Sequence, residues 1–192
     1  NGSLTGHSTD GYGLARSVQE DFSIPPEGGR FFFLGTGGAA RATSVYFALH
    51  GAAEIILVNR TLAKAESLAK VIHHAEPSCR LEVVPLDATE RIASLLQGVD
   101  VLIQSTSLGL HRDDPLPFDP ALVPAHVCTV DMIYGQTPFR KALDLRGMRT
   151  ADGRGMLLYQ GVQSFELWTG CAAPVEVMRQ AHLQEMRSSA TM

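Results

Sequence analysis

Residues 31–42, Phe31-Phe32-Phe33-Leu34-Gly35-Thr36-Gly37-Gly38-Ala39-Ala40-Arg41-Ala42, restrict the fold more than any other stretch of this chain. Four consecutive apolar residues read as a strand covered on both faces. Gly35 permits a tight turn after it, and Gly37 lets backbone approach a phosphate with no Cβ in the way. Ala40 takes the place of a third small residue, which lets the following helix pack close to the strand. The free N–H groups at that helix start, with the positive end of its dipole, would hold a pyrophosphate. The phosphate side of a dinucleotide site is therefore expected at Gly35, Thr36, Gly37, Gly38 and Ala39. An ordinary glycine turn is the alternative; the flanking strand and helix weigh against it.

The second half of the signature lies one βαβ step later. Glu54-Ile55-Ile56-Leu57-Val58 is another buried-strand pattern, and it ends at Asn59-Arg60-Thr61, with Lys64 slightly on. NAD-binding domains place a carboxylate near this point to pair with ribose hydroxyls. Here there is none. A 2′-phosphate is repelled by a carboxylate and gripped by a guanidinium, so Asn59, Arg60, Thr61 and Lys64 point to NADP. The competing reading makes Arg60 and Lys64 solvated charges and Thr61 only the cap of the next helix.

At 192 residues the chain can build one good core and part of a second lobe. Apolar content of 45% with 19% charged residues suits a soluble globular protein, and a net charge of −4 argues against a general nucleic-acid binder. No apolar run approaches the roughly 20 residues that span a bilayer. Cys79, Cys128 and Cys171 are odd in number and far apart, which favours reduced thiols and a cytoplasmic setting. The histidines show no metal spacing; adjacent His73 and His74 would point apart on a helix, so no metal is expected. The chain opens Asn1-Gly2 without methionine and reads as the tail of something longer.

Helical spacing over Leu14–Phe22 precedes the first strand, and a helix over Gly38–Leu49 follows it. Then come the strand at 55–58, a helix over Leu62–Ile72, a strand at Leu81–Leu86, a helix through Leu96 and a strand at Val101–Ile103. A proline-rich connection at Asp113–Pro124 leads to a strand at Val127–Val130, a helix over Pro138–Leu145 and a strand at Met148–Thr150. Two helices, Met156–Trp168 and Val175–Met186, close the chain. This alternation implies a Rossmann-like α/β fold, a doubly wound parallel sheet of about six strands with helices on both faces. Ligand should lie beyond the carboxyl ends of the strands. Residues 1–150 would form the cofactor domain and 151–192 the closing helices.

Several segments, in order along nearly the whole chain, resemble the shikimate dehydrogenase family. Gly6-His7-Ser8-Thr9-Asp10-Gly11 is similar to its GxNTDG motif, and residues 35–40 to its GAGGAA loop. Asn59-Arg60-Thr61 with Lys64 resembles its NRTxx(R/K) clamp. Ser105-Thr106-Ser107-Leu108-Gly109 resembles NATSxG. Asp131-Met132-Ile133-Tyr134 with Thr137-Pro138-Phe139 resembles D-x-x-Y followed by TP. The stretches 153–160 and Trp168-Thr169-Gly170 resemble GxGMLxxQ and WTG. The resemblance implies reversible hydride transfer between NADPH and the C3 carbonyl of 3-dehydroshikimate. It implies that Asp10 contacts the substrate hydroxyls beside an acid–base lysine, and that Tyr134 and Gln160 contact substrate. Met132 and Gly153 would lie against the nicotinamide half, and Thr106, Ser107 and Gly109 along the cofactor channel. Taken singly, Asp10 also reads as a helix cap, Tyr134 as a core residue, Gln160 as an amide satisfied by backbone, and Trp168 as packing.

Departures accompany the likeness. Ser8 replaces an asparagine, Gln104 stands where the NATS asparagine would be, and the segment between Tyr134 and Thr137 is short. The family's front lobe supplies a serine pair and the lysine, and no segment here matches it. Lys64, Lys70 and Lys141 sit in the wrong context to replace that lysine. The chain alone is therefore expected to bind NADP(H) and turn over little shikimate. Its last two helices would carry an apolar face for the missing lobe, which makes a second copy a candidate partner. A quinate-using relative and a non-catalytic NADP(H)-sensing module are the rival readings.

Overall fold

Strict alternation decides which face each strand residue serves. In β1 (Arg30–Leu34), Phe31 and Phe33 point to one side, Phe32 and Leu34 to the other, and all four are buried. β2 (Glu54–Asn59) and β4 (Val101–Gln104) repeat the split: Ile55, Leu57, Val101 and Ile103 join the first face, Ile56, Val58 and Leu102 the second. Burial of each large side chain contributes roughly 1.5–3 kcal/mol. A strand that is apolar on both faces is stable only between two helical layers.

The computed structural model describes residues 2, 4–111 and 113–189, with side chains to residue 184. Residues 1, 3, 112 and 190–192 of the expected spans 1–150 and 151–192 lie outside the described residues. The remaining strands are β3 (Arg80–Pro85), β5 (Cys128–Asp131) and β6 (Thr150–Asp152). All six pair in parallel, in the order β3-β2-β1-β4-β5-β6. The chain winds outward from β1 in one direction, then from β4 in the other. The topological switch point, where such sheets open a ligand crevice, falls between β1 and β4. The expected doubly wound fold is the one observed.

On the first face lie α1 (Asp10–Phe22), α2 (Gly38–Leu49) and α3 (Leu62–Ala75), where Phe47 meets Phe31 edge-on at 4.6 Å. On the second lie α4 (Thr89–Leu96) and α5 (Pro138–Leu145), which contribute Ile92, Leu96, Phe139 and Leu143. α6 (Arg154–Thr169) packs along α1, and α7 (Val175–Ser189) follows it. The α1–α6 approach is close enough that a Cβ on Gly13 would lie 2.6 Å from the Met156 carbonyl oxygen. Only glycine fits there.

Among the boundaries that differ from the sequence reading, three have a clear physical cause. α1 begins at Asp10, not Leu14. Gly11 and Gly13 are poor helix formers, and tight packing against α2 and α6 outweighs their propensity. β5 and β6 start one and two residues later than expected. Val127 and Met148, the apolar residues before them, are spent on the second-face core. The polar Asp131 and Asp152 complete the ladders instead. At the amino ends of the strands, buried Glu54 pairs with Arg30 at 2.7 Å and with Arg80 at 3.2 Å.

Candidate functional site

The carboxyl ends of β1, β2 and β4 open into a cleft of about 480 Å3. Gly35, Thr36 and Gly37 form its floor, Asn59, Arg60, Thr61 and Lys64 one wall, and Ser105–Leu108 the other. Gly35 sits at φ +100, where a side chain is strained, and a Cβ there would lie 2.9 Å from Thr106 Cγ2. Its N–H donates to the Val58 carbonyl at 2.7 Å, which ties the turn to β2. Gly37 is the N-cap of α2 and makes no side-chain cap bond to the first-turn amides of that helix. Gly38 and Ala39 begin α2, but neither is among the residues lining this cleft. Thr61 is the N-cap of α3, yet its hydroxyl makes no cap bond. Arg60 and Lys64 are exposed, with no ion pair among the described residues.

The wall over Gly35 is built by a residue that the sequence reading treated only as a departure. Gln104 is fully buried at the end of β4. Its Oε1 accepts the Thr106 N–H at 2.6 Å, and its Nε2 donates to the Leu108 carbonyl at 2.9 Å. Ser105 donates to the Leu34 carbonyl at 2.8 Å. Together they fold residues 105–108 into a fixed arch. Gly109, expected along the channel, lies behind the arch against Thr137 and Ile133 rather than in the cleft.

A second cleft, of about 350 Å3, is lined by Asp10, Ala39, Met132, Tyr134, Gly153, Met156, Leu157 and Gln160. Four separate stretches of chain meet in it, and every residue marked for the substrate and nicotinamide side is there. Asp10 is the first residue of α1, not its cap; Thr9 is the cap, and its side chain makes no cap bond. The Thr9 hydroxyl lies 3.4 Å from Gln160 Oε1 instead, and Gln160 Nε2 donates to the Leu157 carbonyl at 3.0 Å. Gln160 thus finds a backbone partner and a side-chain neighbour. Tyr134 is 59% exposed, which rules out a core role. Trp168, expected to pack, is 86% exposed at the end of α6. The loop that carries Tyr134 is held from below: Asp152 accepts the Gly135 N–H at 3.0 Å and pairs with Arg140 at 3.2 Å.

Sequence reasoning missed Leu34, Val58 and Leu86 as apolar walls of the first cleft, and Met156 and Leu157 in the second. The signal was present for Leu34 and Val58, each the last apolar residue before a motif. Among the described residues there is no cluster of three His, Cys, Asp or Glu side chains suited to a metal, and no helix long and apolar enough to cross a membrane.

A 3-2-1-4-5-6 parallel sheet with a glycine turn at its switch point defines a Rossmann-like α/β domain. Residues 17–111 match the family model described as shikimate / quinate 5-dehydrogenase, and residues 153–181 match that of the shikimate 5′-dehydrogenase C-terminal domain. The chain belongs to the shikimate dehydrogenase family. It is 41% identical over 186 residues to a shikimate dehydrogenase (NADP(+)) of Desulforamulus reducens, covering 93% of this chain and 62% of that protein. With the enzyme of that name from Methanopyrus kandleri it shares 37% over 193 residues, 97% of this chain and 65% of the relative. The shikimate 5-dehydrogenase of Listeria monocytogenes, solved in complex with shikimate and NAD, superposes with a TM-score of 0.87 at 27% identity. That match covers 94% of this chain and 64% of the other. The chain therefore spans a little under two thirds of the length of these relatives.

Proposed function

We propose that the chain is the NADP(H)-binding part of a shikimate dehydrogenase, serving the reversible NADPH-dependent reduction of 3-dehydroshikimate. The observation that carries this reading is a contrast of charge. At the amino ends of the strands Arg30 and Arg80 both pair with the carboxylate of Glu54, whereas at the carboxyl ends Arg60 and Lys64 face a cleft without a carboxylate. A glycine turn with open helix amides receives the diphosphate, and the cation pair with Asn59 and Thr61 receives the 2′-phosphate. Its relatives, shikimate dehydrogenases (NADP(+)), support the same cofactor.

In this arrangement the nicotinamide end reaches the second cleft, past Met132 and Gly153. The cofactor supplies the hydride. Asp10, Tyr134 and Gln160 then position a polyhydroxylated substrate, and much of the rate is that positioning. A sensing module has no need of three polar side chains converging there. The alkoxide formed by hydride transfer needs a proton donor of tuned pKa. No lysine lines either end of the second cleft, whose residues include one carboxylate, one phenol and one amide. The chain by itself is accordingly expected to bind cofactor and turn over little shikimate. Three cysteines without a pairing partner fit a reducing, cytoplasmic setting.

Calorimetric titration with NADPH and NADH tests the cofactor assignment. One charge-assisted phosphate contact corresponds to roughly a 10–100-fold preference for NADPH. Equal affinities would overturn it. Robust NADP-dependent shikimate oxidation by the purified chain would overturn the expectation of low turnover.

A further inference from the structure

One buried carboxylate has no part in either cleft. Asp131, the last residue of β5, is fully buried, yet it lines neither cavity. Its Oδ1 accepts the Ile133 N–H at 3.1 Å, and its Oδ2 accepts the Thr137 hydroxyl at 2.5 Å. Thr137 Oγ1 in turn accepts the Arg140 N–H at 3.1 Å as the N-cap of α5. The carboxylate thus grips both feet of the loop 132–136, whose residues Met132 and Tyr134 line the second cleft. The same pair reaches the first cleft from behind. Gly109, which closes the arch 105–108, sits so near Thr137 that a Cβ on it would lie 3.0 Å from Thr137 Cβ. One junction under the sheet edge therefore carries the loop after β4 and the loop after β5.

We infer that the Asp131–Thr137 pair is a positioning device that sets the nicotinamide-side loop against the phosphate-side arch, so that a dinucleotide spans both clefts in one extended pose. The inference rests on the NADP(H) reading above. Ionised Asp131 offers only acceptors, and both of its observed partners are donors. Burial pushes its carboxyl above the usual carboxylate range, against the lowering pull of Thr137 and Ile133. A buried charge held by two directed hydrogen bonds fixes a loop more narrowly than an apolar contact does.

Asp131→Asn keeps the shape and supplies an N–H2 where Thr137 needs an acceptor. Binding is measured with two probes on the full chain: NADPH, which spans both clefts, and adenosine 2′,5′-bisphosphate, which occupies only the first. The expected result is roughly tenfold weaker NADPH binding, with loss of the blue-shifted dihydronicotinamide fluorescence, and adenosine 2′,5′-bisphosphate affinity within about twofold of the unaltered chain. Thr137→Val should behave alike, and Thr137→Ser, which keeps the hydroxyl, should restore NADPH binding. If Asp131→Asn does not fold, the Thr137 pair decides. Equal losses for both probes would mean simple destabilisation, and unchanged NADPH binding with unchanged fluorescence would mean no positioning role; either overturns the inference. If the unaltered chain binds neither probe, the NADP(H) reading itself falls; if it binds both and the variants match it, only the positioning role does.

Discussion

The two clefts are built in opposite ways. The first is mostly the work of a single βαβ unit and its neighbour strand: Gly35–Gly37 and Asn59–Lys64 are near in sequence, and one buried amide, Gln104, shapes the facing arch. The second gathers Asp10, Ala39, Met132–Tyr134, Gly153 and 156–160 from places as far apart as the first and sixth helices. Its geometry depends on how α1, α6 and a loop are packed. A site of the first kind survives as long as the pairings of β1 with β2 and β4 survive. A site of the second kind is only as precise as the packing beneath it.

The largest effect should come from the floor of the first cleft. Gly35→Val forces a branched side chain into positive φ and against Thr106, two costs of about 1–3 kcal/mol each. For a chain of this size that corresponds to a fall of roughly 5–20 °C in Tm, measured by thermal circular dichroism. A change under about 2 °C would show that the turn is softer than its geometry. Arg60→Ala should come next. It should weaken NADPH binding roughly 10–100-fold while leaving NADH binding alone, if the guanidinium meets only the extra phosphate as proposed. Parallel losses for both cofactors would erase the distinction between the phosphate wall and the floor.

Gln160→Ala should do the reverse. On the proposed reading cofactor affinity should stay within about twofold, while any effect of shikimate on the calorimetric titration is lost, because an amide contact acts on one ligand only. Loss of NADPH affinity would merge the two clefts into one functional unit. A smaller effect concerns acidity. Asp131 has a raised carboxyl pKa, with burial the largest cause; Arg140 lowers it and Asp152 raises it. The stabilisation from its protonated form is complete below the unfolded carboxylate pKa and disappears as pH rises through the higher folded value. Urea midpoints should therefore shift in favour of the native chain over Asp131→Asn as pH falls from neutral toward the carboxylate range. A difference independent of pH would contradict this. The smallest effect is local. Cys79 is buried, with its thiol pushed up to about 11, Cys128 is buried and also raised, and Cys171 is exposed. Ellman's reagent should label one thiol quickly in the folded chain and all three in denaturant.

How legible each cleft was follows from the same contrast. The run 31–42 and the tail of β2 announce the first cleft because backbone conformation, charge and burial there are local properties of consecutive residues. The doubly wound class and the helical layers on both faces were legible from the alternation of strand and helix patterns. The second cleft was legible only through motif likeness, since no periodicity reveals that Asp10 and Gln160 meet. Helix α1 began earlier than its apolar spacing suggested, because Gly11 and Gly13 serve a partner helix far along the chain. Gln104 looked like a mere substitution; only its two hydrogen bonds disclose what its length is for. The starts of β5 and β6 slipped because apolar character fixes burial and not ladder membership, and Val127 and Met148 are buried outside the ladder.

The contact at Gly13 works like the rivet of a pair of calipers. With the two helices touching backbone to backbone, the jaws bearing Asp10 and Gln160 cannot open to admit a bulkier molecule. Any widening of this cleft must come from the side at Tyr134, so substitutions that reshape it would be expected in residues 132–136 before the helices.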